Sequence, residues 1–145
     1  MIVNTAYIYM GSGGGGTQAN PDLWKDGVSN YPVVFTNSSI SASGLNFTSK
    51  QGDATFSELA LKYFNGLTLS GRITGGPGIS AKVEIKINFY RSDNVLLGTA
   101  TASFTKSGES VTVNIPSSAK IQNAKIKIEK EEYSHSLTLS SAVLS

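Results

Sequence analysis

The stretch from Lys82 to Arg91 reads Lys-Val-Glu-Ile-Lys-Ile-Asn-Phe-Tyr-Arg. Its apolar side chains stand at every second position, at Val83, Ile85, Ile87 and Phe89. Successive side chains of a strand point to opposite faces of a sheet, whereas an amphipathic helix has apolar residues three and four positions apart. The stretch therefore predicts a half-buried β-strand with one dry face.

A second strand is predicted directly after it. Ser92-Asp93-Asn94 supplies turn residues, and Val95–Phe104 returns as the other arm of a hairpin. The predicted inward side chains of this arm are Leu96, Ala100, Ala102 and Phe104.

Similar strand patterns recur on both sides of the hairpin. They occupy Leu67–Thr74, Val111–Ile115, Ala124–Glu129 and Leu137–Leu144, with no sustained helical pattern between them. Many short strands at close spacing predict an all-β fold, an antiparallel β-sandwich, rather than alternating β and α units. The predicted core residues are Val83, Ile85, Ile87, Phe89, Ile126, Ile128, Leu137 and Leu139.

Residues 55–65 permit two interpretations. Thr55 and Glu58 have the spacing of a helix capping box, and Asn65-Gly66 is a suitable helix end. The same residues also fit a strand through Leu59, Leu61 and Tyr63. We favour the strand because the rest of the chain has β character and local propensity yields to tertiary context.

The composition narrows the possible functions. The 145 residues suit one domain, and the formal net charge of +2 provides no electrostatic footprint for nucleic acid. The absence of Cys and the single His exclude thiolate and multi-His metal centres, so we expect no metal and no cofactor. No stretch approaches the length of a membrane span and no signal peptide is recognisable, so we expect no membrane partner and synthesis in the cytoplasm.

Three segments are predicted along the chain. Residues 1–10 form an N-terminal strand-like arm, residues 11–16 a Gly-rich linker, and residues 17–145 a single β-sandwich domain, whose first loop extends to Pro32. The linker matches a dinucleotide-binding glycine pattern, but a turn sequence follows it where that motif requires a helix. The arm would add to the sheet of another subunit through its larger side chains, Ile2, Tyr7, Ile8 and Tyr9.

Aromatic side chains are the best candidates for ligand contact. A flat ring with a polar tip can stack on a sugar, and four such residues fall on predicted loops or outward positions: Trp24, Tyr31, Tyr90 and Tyr133. Arg91 and Asp93 would add polar groups beside Tyr90. The alternative for Trp24 is a core plug or loop anchor.

Catalytic groups are weaker candidates. His135 has no second His or Cys nearby in the sequence, and we interpret it as a surface residue. Glu129, Glu131 and Glu132 alternate with lysines, including Lys130, in the manner of a solvated charged face. We therefore expect the protein not to be an enzyme.

The order of the strands resembles a known family. Five segments together resemble the jelly-roll carbohydrate-binding modules with a galactose-binding-like fold. They are Tyr63–Ile73, Val83–Tyr90, Val111–Pro116, Ala124–Ile128 and Leu137–Leu144. The resemblance covers residues 45–145 and implies a jelly-roll sandwich that binds glycans. That family often carries acidic residues near a structural calcium on its last strand, where this chain has Ser140 and Ser141.

The arm, the glycine run and the Ser/Thr/Gly-rich body also resemble components of bacteriophage or prophage particles. This second resemblance predicts a non-enzymatic virion structural protein of a phage head or tail. It would dock by its arm onto other virion proteins or further copies of itself, with host-surface glycans as candidate ligands. The alternative is a stand-alone carbohydrate-binding module that recognises glycans through exposed aromatic residues.

Overall fold

The computed structural model describes residues 20–78, 81–131 and 135–145. Within these residues the chain forms twelve strands and one short 3-10 turn at Ser117–Ala119. In chain order the strands are β1 (Trp24–Lys25), β2 (Val28–Ser29), β3 (Val33–Thr36), β4 (Ser38–Ser41), β5 (Gly44–Phe47), β6 (Gly52–Leu59), β7 (Gly66–Gly75), β8 (Val83–Tyr90), β9 (Leu96–Phe104), β10 (Glu109–Asn114), β11 (Ala124–Lys130) and β12 (Ser136–Leu144).

Ten of these described strands form two five-stranded sheets that pack face to face. Sheet I has the order β10-β7-β12-β5-β4, and sheet II has the order β3-β6-β11-β8-β9. Every pairing in both sheets is antiparallel. The all-β antiparallel sandwich predicted from the sequence is confirmed.

The core lies between the two sheets. All eight core residues predicted from the alternation are fully buried. Sheet II contributes the apolar face of β8 and β11, and sheet I contributes Leu137 and Leu139 together with Leu67 and Leu69 of β7. Burial of these apolar faces is the main force that holds the sheets together.

The inward position predicted for Leu96 is wrong. Phe89 pairs with Gly98 but Tyr90 pairs with Leu96, so Leu97 is an extra residue on β9, a β-bulge. The bulge reverses the alternation, and the Leu96 side chain is 54% exposed. Beyond the bulge the alternation follows the prediction, with Ala102 buried.

The segment that permitted either a helix or a strand begins in a strand formed by residues 52–59. They form β6, which pairs with β3 on one edge and β11 on the other, so the strand interpretation is confirmed for this part. Residues 60–65 form the loop to β7 instead of continuing the strand. A strand with hydrogen-bonded neighbours on both sides outweighs the capping signal of Thr55 and Glu58.

The predicted solvated position of Lys130 is also wrong. Lys130 shares the inward side of β11 with Ile126 and Ile128 and is fully buried. Its ammonium donates hydrogen bonds to the carbonyl oxygens of Lys50, at 3.2 Å, and Glu131, at 3.1 Å. The lysine thus links two loops at one end of the sandwich.

No helix in the described part of the chain has the length and apolar character needed to cross a membrane.

Candidate functional site

Trp24 is a core residue and not an exposed ligand platform. It is 3% exposed, and its ring stacks on Phe56 with centroids 5.7 Å apart. Its Nε1 donates a hydrogen bond to the carbonyl oxygen of Ser140 at 3.2 Å. The first loop is tied to β12 by a hydrogen bond from the Leu23 amide to the Ala142 carbonyl, and this contact turns the indole inward. The expectation of a surface ring at Trp24 is therefore wrong, and the anchor alternative holds.

Tyr31 is buried as well. It is 8% exposed, and its hydroxyl donates to the carbonyl oxygen of Asn20 at 2.6 Å. The tyrosine anchors the loop in which it lies, so the expectation that it presents a ring to a ligand is wrong.

The three remaining described candidates lie at the β8–β9 hairpin. Tyr90 is half-buried and points outward from sheet II. Arg91 and Asp93 are exposed and bind each other through two hydrogen bonds of 2.8 Å, from Nε and Nη2 of the arginine. The hydrogen bond from Arg91 holds the pKa of Asp93 below its ordinary value. The two side chains are thus occupied in closing the turn, and Tyr133 lies outside the described residues.

A cavity of about 600 Å³ lies on the outer face of sheet I, and we refer to it as the groove. The alternation of β7 creates its floor, because Leu69 and Ile73 point into the core while Ser70, Arg72 and Thr74 point outward. The hydroxyl groups that line it belong to Ser43, Ser70, Thr74, Ser110, Thr138 and Ser140. The strand was predicted from the sequence, and the run of hydroxyls around one arginine on its outward face was the available signal for the groove.

A β-bulge at Ser140 shapes the middle of the groove. Leu139 pairs with Gly71 and Ser141 with Ser70, which leaves Ser140 as the extra residue on β12. Glycine occupies both neighbouring strands at this point. A Cβ on Gly71 would lie 2.6 Å from the Thr138 carbonyl oxygen, and one on Gly44, whose φ is +123°, would overlap the Leu139 carbonyl.

The bulge is held from the core side by Trp24, whose indole binds the Ser140 carbonyl. It is held from the solvent side by the Ser140 hydroxyl, which donates to the Ser70 carbonyl at 3.1 Å. Both glycines thus leave room for the bulge and Trp24 binds it, so all three residues contribute to the position of Ser140 in the groove.

Hydroxyl groups of the floor are hydrogen-bonded to side chains on the neighbouring strands. Ser70 Oγ lies 2.7 Å from Ser110 Oγ, and Thr138 Oγ1 donates to Asn46 Oδ1 at 2.8 Å. A hydroxyl has one hydrogen to donate and two lone pairs to accept with, so each pair keeps unused capacity. The floor can therefore both donate to and accept from a ligand rich in hydroxyls.

Two charged side chains line the groove, and their environments differ. Glu109 accepts hydrogen bonds from Thr105, at 2.7 Å from the amide and 2.5 Å from the hydroxyl. The guanidinium of Arg72 makes no hydrogen bond or ion pair with any described residue. A Cβ on Gly108, whose φ is +93°, would lie 3.6 Å from the Cβ of Arg72. The carboxylate is thus engaged, while the guanidinium is available to a ligand.

Comparisons with known proteins identify the fold. No family model and no curated protein matches the sequence. A mutant of a family 29 carbohydrate-binding module has a TM-score of 0.61 at 12% identity, covering 86% of this chain and 89% of that one. A family 36 carbohydrate-binding module in complex with calcium and xylotriose has a TM-score of 0.57 at 15% identity, covering 80% and 94%.

A family 11 module from Clostridium thermocellum, in complex with a mixed-linked tetrasaccharide, has a TM-score of 0.54 at 12% identity, covering 88% of this chain and 96% of that one. At such identities the likeness shows the fold alone. The protein has the jelly-roll type of β-sandwich found in these carbohydrate-binding modules.

Proposed function

We propose that the protein is a non-enzymatic carbohydrate-binding module whose ligand lies in the groove on sheet I. The observation that carries this proposal is the cavity itself, about 600 Å³ in volume and floored by hydroxyl groups with free hydrogen-bonding capacity. Ligand sites are typically concave, pre-formed and of about 300–1,000 Å³. The three solved structures reported above are carbohydrate-binding modules of the same fold, which favours a glycan-binding module over the virion structural role predicted first from the sequence.

Binding without catalysis agrees with the side chains of the groove. Glu109 is the single carboxylate among its described lining residues, whereas glycoside hydrolysis generally requires two carboxyl groups facing the bond. His135 lies outside that lining, and its Nε2 is 2.6 Å from the Pro77 carbonyl oxygen. The described lining therefore offers contacts for a sugar but lacks a paired acid and base.

The virion location and the docking of the arm rest on the sequence alone. Ile2, Tyr7, Ile8 and Tyr9 lie outside the described residues, so both remain predictions. A glycan-binding role is compatible with either a free module or a component of a particle.

Glycan titrations of two matched variants test the proposal. Ser110→Leu places a branched side chain at the rim of the groove, and Thr101→Leu makes a comparable change on the exposed edge strand of sheet II. We expect the unmodified protein to bind at least one soluble polysaccharide in calorimetry. Ser110→Leu should weaken this affinity by roughly tenfold or more, about 1.4 kcal/mol. Thr101→Leu should leave the affinity unchanged. Absence of binding across neutral and acidic polysaccharides, or equal losses in the two variants, would contradict the proposal.

A further inference from the structure

We propose that the groove is specific for an anionic saccharide, whose acidic group is held by Arg72. This inference rests on the proposed function and assigns its ligand class. The single feature from which it starts is the guanidinium of Arg72, which lines the groove and has no hydrogen-bonding or ionic partner among the described residues.

Glu109, the nearby Lys106 and the second arginine of the described chain each have a hydrogen-bonding partner. Both oxygens of Glu109 accept hydrogen bonds from Thr105. The ammonium of Lys106, on the loop that borders the groove, donates to the Gly76 carbonyl oxygen at 2.7 Å. Arg91, the other arginine of the described chain, is closed into a bidentate pair with Asp93. Arg72 alone among these groups keeps its full set of donors for a ligand.

The surroundings of Arg72 match a sugar acid. Thr138 lies directly across the strand, and Ser70 and Thr74 flank the arginine on its own strand and face. A guanidinium presents its donors in a planar fork that fits a carboxylate or sulfate in a bidentate manner. The adjacent hydroxyls are then in place for the remaining hydroxyl groups of the ring.

The described lining contains no aromatic side chain, so stacking on a sugar ring cannot supply the affinity there. A neutral hydrogen bond in an open groove replaces one to water and contributes little net free energy. Charge-assisted hydrogen bonds are roughly twice as strong as neutral ones. The strongest contact this lining can make is therefore between Arg72 and an anion.

The described lining carries one cation, Arg72, and one carboxylate, Glu109, while Lys106 lies on the loop that borders the groove. The attraction between the exposed Arg72 and an anion is electrostatic, so it is weakened by salt.

The experiment compares acidic sugars with their neutral forms by calorimetry at two salt concentrations. One pair is an oligogalacturonate and its methyl ester, and the other is a sulfated galactan oligosaccharide and its desulfated form. We expect at least one acidic form to bind roughly tenfold or more tightly than its neutral counterpart, and the added salt to reduce this difference. The pair that shows the preference identifies the acidic group as carboxylate or sulfate.

Three variants test whether the preference for the acidic saccharide depends on Arg72. Arg72→Gln should abolish the preference for the acidic form. Arg72→Lys should retain only part of this preference, because lysine lacks the planar fork of donors of the guanidinium. Arg91→Gln should leave the preference unchanged. Arg72 is exposed, so an unchanged unfolding midpoint in these variants is the control for folding. Equal affinity for acidic and neutral forms, or an intact preference in Arg72→Gln, would overturn this inference while leaving carbohydrate binding in place. Absence of binding to any saccharide, acidic or neutral, would overturn the proposed function and this inference together.

Discussion

Trp24 connects three parts of the molecule through one side chain. Its ring stacks on Phe56 of sheet II, its Nε1 binds the Ser140 carbonyl of sheet I, and its backbone belongs to β1. A single residue therefore couples the packing of the core to the geometry of the groove.

Substitution of Trp24 should separate its two roles. Trp24→Ala should lower the free energy of unfolding by about 3–5 kcal/mol, because it leaves a large cavity in the core. Trp24→Phe keeps most of the packing but leaves the Ser140 carbonyl without its donor, and should cost about 1–2 kcal/mol. Urea unfolding measures both, with Tyr63→Ala as the control, since Tyr63 is an aromatic residue that is 77% exposed. Equal small losses in all three variants would mean that Trp24 is not an anchor.

Asp53 gives the stability a distinctive pH dependence. Partial burial raises its pKa above the ordinary value of 3.8, Lys127 opposes this effect, and Glu129 adds to it. A carboxyl with a raised pKa binds its proton more tightly in the folded state. Its contribution to stability is therefore full below pH 3.8 and is lost as the pH rises through the raised pKa.

Replacement of Asp53 by Asn removes the loss of stability that Asp53 causes as the pH rises. Urea unfolding at the two pH values gives the free energy of unfolding of Asp53→Asn minus that of the unmodified protein. We expect this difference to be more positive at pH 7 than at pH 3. Asp93→Asn is the matched control of opposite sign, because the hydrogen bond from Arg91 lowers the pKa of Asp93 and its stabilisation is lost as the pH falls. The prediction for Asp53 fails if the difference between Asp53→Asn and the unmodified protein is the same at both pH values.

At the scale of the elements, the bulge on β12 is the feature that most directly shapes the site. Gly71→Ala tests it, because the new Cβ would lie 2.6 Å from the Thr138 carbonyl oxygen and strain the strand pairing at the floor of the groove. We expect a loss of about 1–3 kcal/mol in the free energy of unfolding and weaker glycan binding. Ser70→Ala, one residue away on the same strand, adds no atoms and should cost less than about 1 kcal/mol. Comparable losses in the two variants would remove the steric argument.

The alternation of side chains predicted the strands that contain it, but not the irregularities between them. The buried faces of β8 and β11 follow from a period of two, because a regular strand has no other way to hide its apolar residues. The predicted inward position of Leu96 was wrong because a one-residue bulge inverts the alternation, and the sequence around it has no feature that indicates the bulge. The outward hydroxyls of β7 were a sequence signal for the floor of the groove, but its centre had none, since that centre is the bulge at Ser140, whose contact with Trp24 joins residues 116 positions apart.

At the scale of the whole molecule, the two outer faces of the sandwich differ in chemistry. The outer face of sheet I is lined by hydroxyl groups and Arg72, whereas that of sheet II carries charged residues such as Lys86, Lys127 and Glu129. The sheet II residues stand opposite one another with mixed signs, which is typical of a solvated face. The concentration of available donors on one face is what makes that face the candidate site.

The arm of residues 1–10 and the Gly-rich linker, both predicted from the sequence alone, give the last prediction. The core described by the structure is built from residues 23–144, so deletion of residues 1–16 removes none of its buried side chains. We expect the shortened protein to keep its unfolding midpoint and its glycan binding. The arm combines strand-like alternation with a Gly-rich spacer whose root-mean-square span is on the order of 12–15 Å, enough to reach the sheet edge of another subunit. Assembly should therefore be lost, as measured by light scattering of the purified protein and by incorporation into particles. Unfolding of the shortened protein would make the arm a strand of the sandwich, and unimpaired assembly would show that the arm has no docking role.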